Sequence, residues 1–306
     1  MAIFYALASP ELTVVGLTTI FGNHTVEVCT TNALRLLEIA ERSDVPVARG
    51  AARPLAAPYA GPAEHVHGRD GQGNTSLPPP TLAPTGADAS RFIIDTVMTA
   101  PGEITLVPLG PLTNIAIALI TEPALARNLA GIVLMGGAAF VSGNASPAAE
   151  ANILNDPEAA DIVFGADCPL VMCGLDVTEQ IVLPRTALDS LTSATNARAH
   201  HVRAITAFYV DFHREQNGLD GIYVHDSTTI SYLLAPQLFT TVHHPIRVDC
   251  GHSFARGRTV AAARPSGDES AWSGRRDVTI CTDVDAAAVI ELEMGRLTAP
   301  SSTATR

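Results

Sequence analysis

The sequence predicts an open, mostly parallel α/β sheet flanked by helices, and three observations carry that expectation. Short apolar runs recur at residues 12–20, 45–47, 104–107, 132–135 and 170–177, without the polar alternation of a half-exposed strand. Stretches of helical period separate them, at 26–39, 89–98 and 112–129, which makes a series of strand-helix-strand units. The chain of 306 residues is 47% hydrophobic, enough for a sizeable core, and neither a linker nor an internal repeat divides it.

In chain order, Met1 to Ala8 reads as a helix that is apolar on every side and has no Ser, Thr, Asp or Asn ahead of it. A leading helix of such a sheet is normally fed by a strand, so one strand and its loop are expected ahead of Met1. Residues 51–88 are rich in Pro and Gly and far longer than the roughly 2–6 residues usual for such connections, which marks a functional or disordered loop. A long helical stretch follows at 198–214 and a shorter one at 227–234, then irregular strand-like pieces at 246–248 and 278–280. Residues 299–306 are expected to fray.

The formal charge of −12, from 19 basic and 31 acidic residues with no basic run, argues against nucleic acid and against an anionic membrane surface. Five cysteines, Cys29, Cys168, Cys173, Cys250 and Cys281, follow no disulfide or metal-ligand spacing, so the cytoplasm is expected. The first residues lack a basic flank and are too short to span a bilayer. The sequons at Asn23, Asn74 and Asn144 are then coincidental.

Ligands of parallel sheets bind beyond the carboxyl ends of the strands, and there the residues are polar. Gly22-Asn23 follows the first run, Leu109 to Asn114 the third, and Gly136-Gly137 with Asn144, Glu150 and Asn152 the fourth. Asp176 and Thr178 follow the fifth. Gly110-Pro111 and Asp176 read as turn chemistry, and Asp156-Pro157 as a helix cap. Glu150 and Asn152, at i and i+2 of an extended segment, would point the same way and could grip vicinal hydroxyls.

In the long loop, "HVHGRDGQGNT" offers His65 and His67, with no third ligand to suggest zinc. "YVHDSTTISYLL" sets His225 beside Asp226 at a helix start. Asp226 is either an N-cap or a carboxylate for a hard cation or a proton, with His225 as a donor next to it. His200-His201 suit a helix surface. No G-x-S-x-G, Walker A or G-x-G-x-x-G sequence is present, which weakens serine hydrolase, NTPase and dinucleotide readings.

Taken in order, "ASPELTVVGLTTIFGN", "HGRDGQGN", "ITLVPLGPLTNIAIAL", "IVLMGG", "GNASPAAEAN", "NDPEAADIVF", "GLDVT" and "GLDGIYVHD" resemble the inosine-uridine-preferring nucleoside hydrolases. That resemblance implies a Rossmann-like sheet and calcium-dependent cleavage of the N-glycosidic bond of a small-molecule ribonucleoside, in a homo-oligomer, commonly a dimer or tetramer. It also implies roles. Asp226 and the Leu109 carbonyl would bind Ca2+, and Asn144, Glu150 and Asn152 would hold the ribose hydroxyls. Met135 would line the pocket, with Asn23 close to the sugar. His225 would serve the leaving base and His67 would approach the base from the loop, which becomes a lid. Phe212, His213 and Gln216 lie on the helix expected to meet the base.

Ala151, Gln72 and Ser227 depart from the family's usual residues and bear on pocket shape. The family's D-x-D-P-G-x-D-D turn, source of further calcium carboxylates and of the base that deprotonates water, would stand just ahead of Met1. The chain as written is therefore expected to be impaired. Either Met1 is internal to a longer natural protein, the favoured expectation, or the chain is a catalytically inactive nucleoside- or ribose-binding homologue.

Overall fold

A computed structural model describes residues 1–262 and 271–300, so most of the expected frayed tail lies outside the described residues. The first helix, α1 (Ala2–Leu7), has no side-chain cap and buries Phe4 and Tyr5. It is followed by β1 (Leu17–Thr18), α2 (Val26–Ile39) and β2 (Val47–Ala48), with β1 and β2 paired in parallel as the alternation requires. Only two residues of the 12–20 run are strand. A strand exists through its partners, and only Leu17 and Thr18 find them in β2.

The long segment 51–88 contains one short helix, α3 (Glu64–His67). The chain continues through α4 (Ala89–Thr99), β3 (Thr105–Leu106), α5 (Thr113–Thr121), α6 (Leu125–Asn128), β4 (Gly131–Met135), α7 (Ala151–Asn155), α8 (Pro157–Phe164) and β5 (Leu170–Cys173). The helical stretch expected over 112–129 is thus two helices, because Pro123 follows the end of α5 and cannot continue its hydrogen bonding. The run 170–177 likewise stops early as a strand. Gly174 caps a short helix, α9 (Leu175–Thr178), that carries the polar residues of "GLDVT".

Beyond it lie β6 (Val182–Pro184), α10 (Arg185–Ser190), α11 (Ala197–Asn217), β7 (Gly221–Tyr223) and α12 (Ser227–Leu234). The last described elements are β8 (Phe239–His244), β9 (Ile246–Val248), β10 (Thr259–Ala261), β11 (Val278–Val284) and α13 (Ala286–Thr298).

The main sheet has the order β3-β4-β5-β11-β8. Its first four strands are parallel, and β8 runs antiparallel to β11. All of β4 and most of β5 are buried, as expected of strands covered on both faces, and each buried Ile or Leu contributes about 1.5–3 kcal/mol. Helices α4, α5 and α8 pack together around Ile115, Val97 and Val163, while α1, α12 and α13 join a second apolar cluster with Tyr5, Ile230 and Val289.

Polar side chains hold the loops against this frame. Asp156 caps α8 through Ala159 N and also accepts from Thr113 Oγ1 at 2.6 Å and from Leu55 N at 2.9 Å. Segment 51–88 is thereby tied at its start. Farther along, Asn32 donates to the Asp70 carbonyl, His24 bonds the Arg69 carbonyl, and Arg35 donates to Leu77 and Pro78. His201 departs from its expected surface position. It is buried edge-on against Phe4, while His200 alone faces solvent.

Candidate active site

Side-chain contacts link the carboxyl end of β4 to the start of α7, the end of α9 to the residues ahead of α12, and these to the C-terminal half of α11. Strand β4 ends in Met135, and the chain turns at Gly137 with φ +85, where a Cβ would meet Met172 Cε at 2.6 Å. The positive φ favours glycine there, and a side chain would also have to push the Met172 methyl aside. Asp176 accepts from Ala139 N and Phe140 N, which is the turn role the sequence suggests.

Glu150 is the N-cap of α7. Its Oε1 accepts from Asn152 N at 2.8 Å, and its Oε2 from Ile153 N at 3.1 Å and Gly137 N at 2.9 Å. The pairing expected from an extended i, i+2 segment is therefore replaced by a cap, since Asn152 already lies inside the helix. Its Nδ2 donates to the Met135 carbonyl at 3.1 Å and lies 3.5 Å from the Leu109 carbonyl. Glu150, Asn152, Met135 and Leu109 are thus together. Asn144, exposed, accepts from Ala151 N and so stands next to them at the rim. Burial pushes the Glu150 carboxyl up to about 7 against the pull of its three N–H donors, and the charge of Asp226 adds to the rise.

Asp226 stands at the N-cap of α12 but does not cap it, because its side chain accepts no N–H of the helix. Thr228 and Thr229 satisfy themselves on the carbonyls of Val224 and Asp226. The carboxylate is open to water at one side and crowded by protein at the others, and that crowding raises it to about 6.

His225 precedes it, and its Nδ1 bonds Thr178 Oγ1 at 2.8 Å. Burial, then the neighbouring His213 and His67, lowers the imidazole to about 4, so it is neutral at ordinary pH. A ladder of rings runs from His225 to Tyr223, His213, Tyr209 and His67, with centroid spacings of 5.8, 5.2, 4.4 and 5.7 Å. It joins the loop 51–88 to α11 and α12.

His67 and His213 accordingly belong to the site. Phe212 stacks on Tyr209, whereas Gln216 is exposed. Asn23 is exposed on the turn after β1, where its carbonyl accepts from Ala63 N, and no described contact links its side chain to Glu150 or Asp226. Tyr209, and Thr178 buried behind His225, are residues of the site to which the sequence assigns no role. For Tyr209 the available signal was its i, i+4 spacing to His213 on α11.

Among the described residues no group of three His, Cys, Asp or Glu side chains could hold a metal. The Asp226 carboxylate, which caps nothing and feels the Met1 ammonium, and the Leu109 carbonyl next to Asn152 are oxygen donors and fit a hard cation in kind. No helix among the described residues is long and apolar enough to cross a membrane, and all five cysteines are free thiols.

The sequence profile of the inosine-uridine preferring nucleoside hydrolases matches residues 1–291. A probable uridine nucleosidase 2 of Arabidopsis thaliana is 42% identical over 300 residues, covering 97% of this chain and 93% of that protein. A pyrimidine-specific ribonucleoside hydrolase of Shewanella woodyi is 40% identical over 95% of this chain and 92% of its own length. A plant nucleoside hydrolase of solved structure superposes with a TM-score of 0.93 at 39% identity, over 98% of this chain and 95% of its own. The chain belongs to the nucleoside hydrolase family, and its reaction is hydrolysis of the N-glycosidic bond of nucleosides.

Proposed function

We propose that the protein releases free base from pyrimidine ribonucleosides, uridine foremost, with Ca2+ bound through the Asp226 carboxylate and the Leu109 carbonyl. The observation that carries this reading is the Asp226 carboxylate. It stands where a helix cap is expected, caps nothing, follows His225 directly and lies near enough to Glu150 for its charge to act on that carboxyl. A single protein carboxylate leaves much of a coordination shell of roughly six to eight oxygens to other donors. When bound, the ion supplies positive charge that orients sugar hydroxyls and acidifies water.

Substrate binding, charge stabilisation and leaving-group assistance belong to side chains, while the proton of the attacking water goes to the base expected ahead of Met1. Asn144, Glu150 and Asn152 hold the ribose hydroxyls, with Met135 beneath the sugar and Asn23 at its edge. The anomeric carbon gains positive charge as the base leaves, and the negative potential of Glu150 and Asp226 favours that state. Neutral His225 donates a hydrogen bond to the departing base, whose charge grows as the bond breaks. His67, Tyr209 and His213 enclose the base, and segment 51–88 serves as a lid that keeps bulk water from the reacting sugar.

The pyrimidine preference rests on the names of the relatives at 42% and 40% identity. Free thiols support a cytoplasmic home, and membership of the family supports a single-domain subunit in a homo-oligomer, a dimer or tetramer.

Ribose release from uridine and inosine, followed with calcium and with the chelator EGTA, tests the reading. Faster release from uridine, loss of release in EGTA and its return with excess calcium are expected. Release indifferent to EGTA overturns the role of the ion, and ribose binding without release from either nucleoside identifies a binding protein instead.

A further inference from the structure

We propose that Thr178 is a positioning residue for the leaving group: its hydroxyl fixes the tautomer and ring orientation of His225, so that Nε2–H faces the base. The inference rests on the role given to His225 above.

Helical threonines of this chain repeatedly return their hydroxyl proton to the carbonyl four residues back. Thr30, Thr96, Thr206, Thr228 and Thr298 all do so, at 2.6–2.8 Å. Thr178 has the Gly174 carbonyl four residues back, yet its hydroxyl bonds His225 Nδ1 at 2.8 Å instead. Thr178 is 0% exposed and that imidazole nitrogen is its recorded partner. Were the hydroxyl to accept from Nδ1–H, its own proton would be buried with nowhere to go. The satisfied arrangement has Thr178 donating and Nδ1 accepting, which puts the ring proton on Nε2.

Both partners are held from outside the bond. Thr178 ends α9, and β6 begins four residues later. His225 follows β7 by two residues, and β6 pairs with β7 through Val182 and Tyr223. Val224 N donates to the Ile181 carbonyl at 2.9 Å, and Gln180 donates to the Asp176 and Thr282 carbonyls. The ladder therefore sets the spacing of the hydroxyl and the ring, and the hydrogen bond chooses the tautomer.

The test pairs Thr178→Val, close in shape but without the hydroxyl, with Thr178→Ser, which keeps it. Uridine, whose base leaves poorly, is compared with p-nitrophenyl riboside, whose leaving group needs no hydrogen bond. Thr178→Val is expected to lower kcat on uridine about 10- to 100-fold, with KM changed less than threefold and p-nitrophenyl riboside hydrolysis within twofold of wild type, while Thr178→Ser restores uridine turnover. Equal losses on both substrates, or no loss on uridine, overturn the proposal. Imidazole 15N NMR of the unsubstituted protein decides independently of folding and turnover. An Nε2–H tautomer at His225 supports the assignment, and an Nδ1–H tautomer overturns it. Failure of the unsubstituted protein to hydrolyse either substrate counts against the proposed function, and the NMR result still stands or falls by itself.

Discussion

Substituting Asp226 with Asn is expected to lower kcat/KM for uridine by on the order of 100- to 1000-fold while leaving the fold unchanged. The side chains are nearly isosteric, and Asn is as good an N-cap as Asp. Because the carboxylate makes no capping hydrogen bond, α12 loses nothing by the change. With EGTA present at neutral pH, the urea midpoint of Asp226→Asn should be no lower than that of wild type, because the raised carboxyl makes the ionised side chain unfavourable in the fold.

The loss of activity then reports a missing charge. It has a pH signature, since the carboxyl is raised to about 6 by its crowded surroundings and an ion binds only the deprotonated form. Calcium affinity measured by calorimetry should fall about tenfold per pH unit below about 6, and Asp226→Asn should remove both the affinity and its slope. Unchanged affinity in the variant would show that the ion sits elsewhere.

The second large effect is expected at Glu150. Its carboxylate joins three backbone N–H groups from the turn after β4 and from the first turn of α7. Glu150→Ala leaves those donors without their acceptor in a buried place, which costs on the order of 3 kcal/mol and displaces Asn152 with the helix start. Ribose binding should vanish along with it.

The pH dependence has an unusual sign for a carboxylate. The folded protein holds the Glu150 proton up to about 7, whereas an unfolded glutamate releases it near 4.5. This contribution to stability is therefore fully present below about 4.5 and is lost as pH rises through 7. Buried Glu293, also raised to about 7, carries the same sign, so the difference between wild type and Glu150→Ala isolates Glu150. Urea melts from pH 4.5 to 8 check it. A difference that stays constant with pH would mean that folding does not shift the Glu150 carboxyl.

The sheet was legible where burial on both faces writes itself into the chain. Residues 132–135 and 170–173 carry no polar side chain, and β4 and β5 lie there, whereas the run read over 170–177 overshot into Gly174 and Asp176. The antiparallel edge was not legible. Half-exposed β8 reads Phe-Thr-Thr-Val-His-His, with no two-residue alternation, and β11 was legible only at 278–280, ahead of the irregularity between Cys281 and Asp283.

Site residues fixed by local motifs came through best. Asp226 announces a helix start, and Glu150 lies six residues after Asn144 in a glycine-led loop. What the sequence could not express is which of two local roles a residue takes. Asp226 was equally readable as a cap, and Glu150 as half of an extended pair. Those choices depend on what the neighbouring backbone N–H groups find, and that is settled by tertiary packing. His201 shows the same limit, for only the packing of α1 on α11 hides it behind Phe4.

The most direct measurement is a crystal structure of the protein soaked with calcium and ribose. The ion is expected on the Asp226 carboxylate and the Leu109 carbonyl, at about 2.3–2.6 Å, with the sugar hydroxyls against Glu150 and Asn152. A sugar bound away from these residues, or an ion that leaves Asp226 untouched, would contradict the assignment of the site.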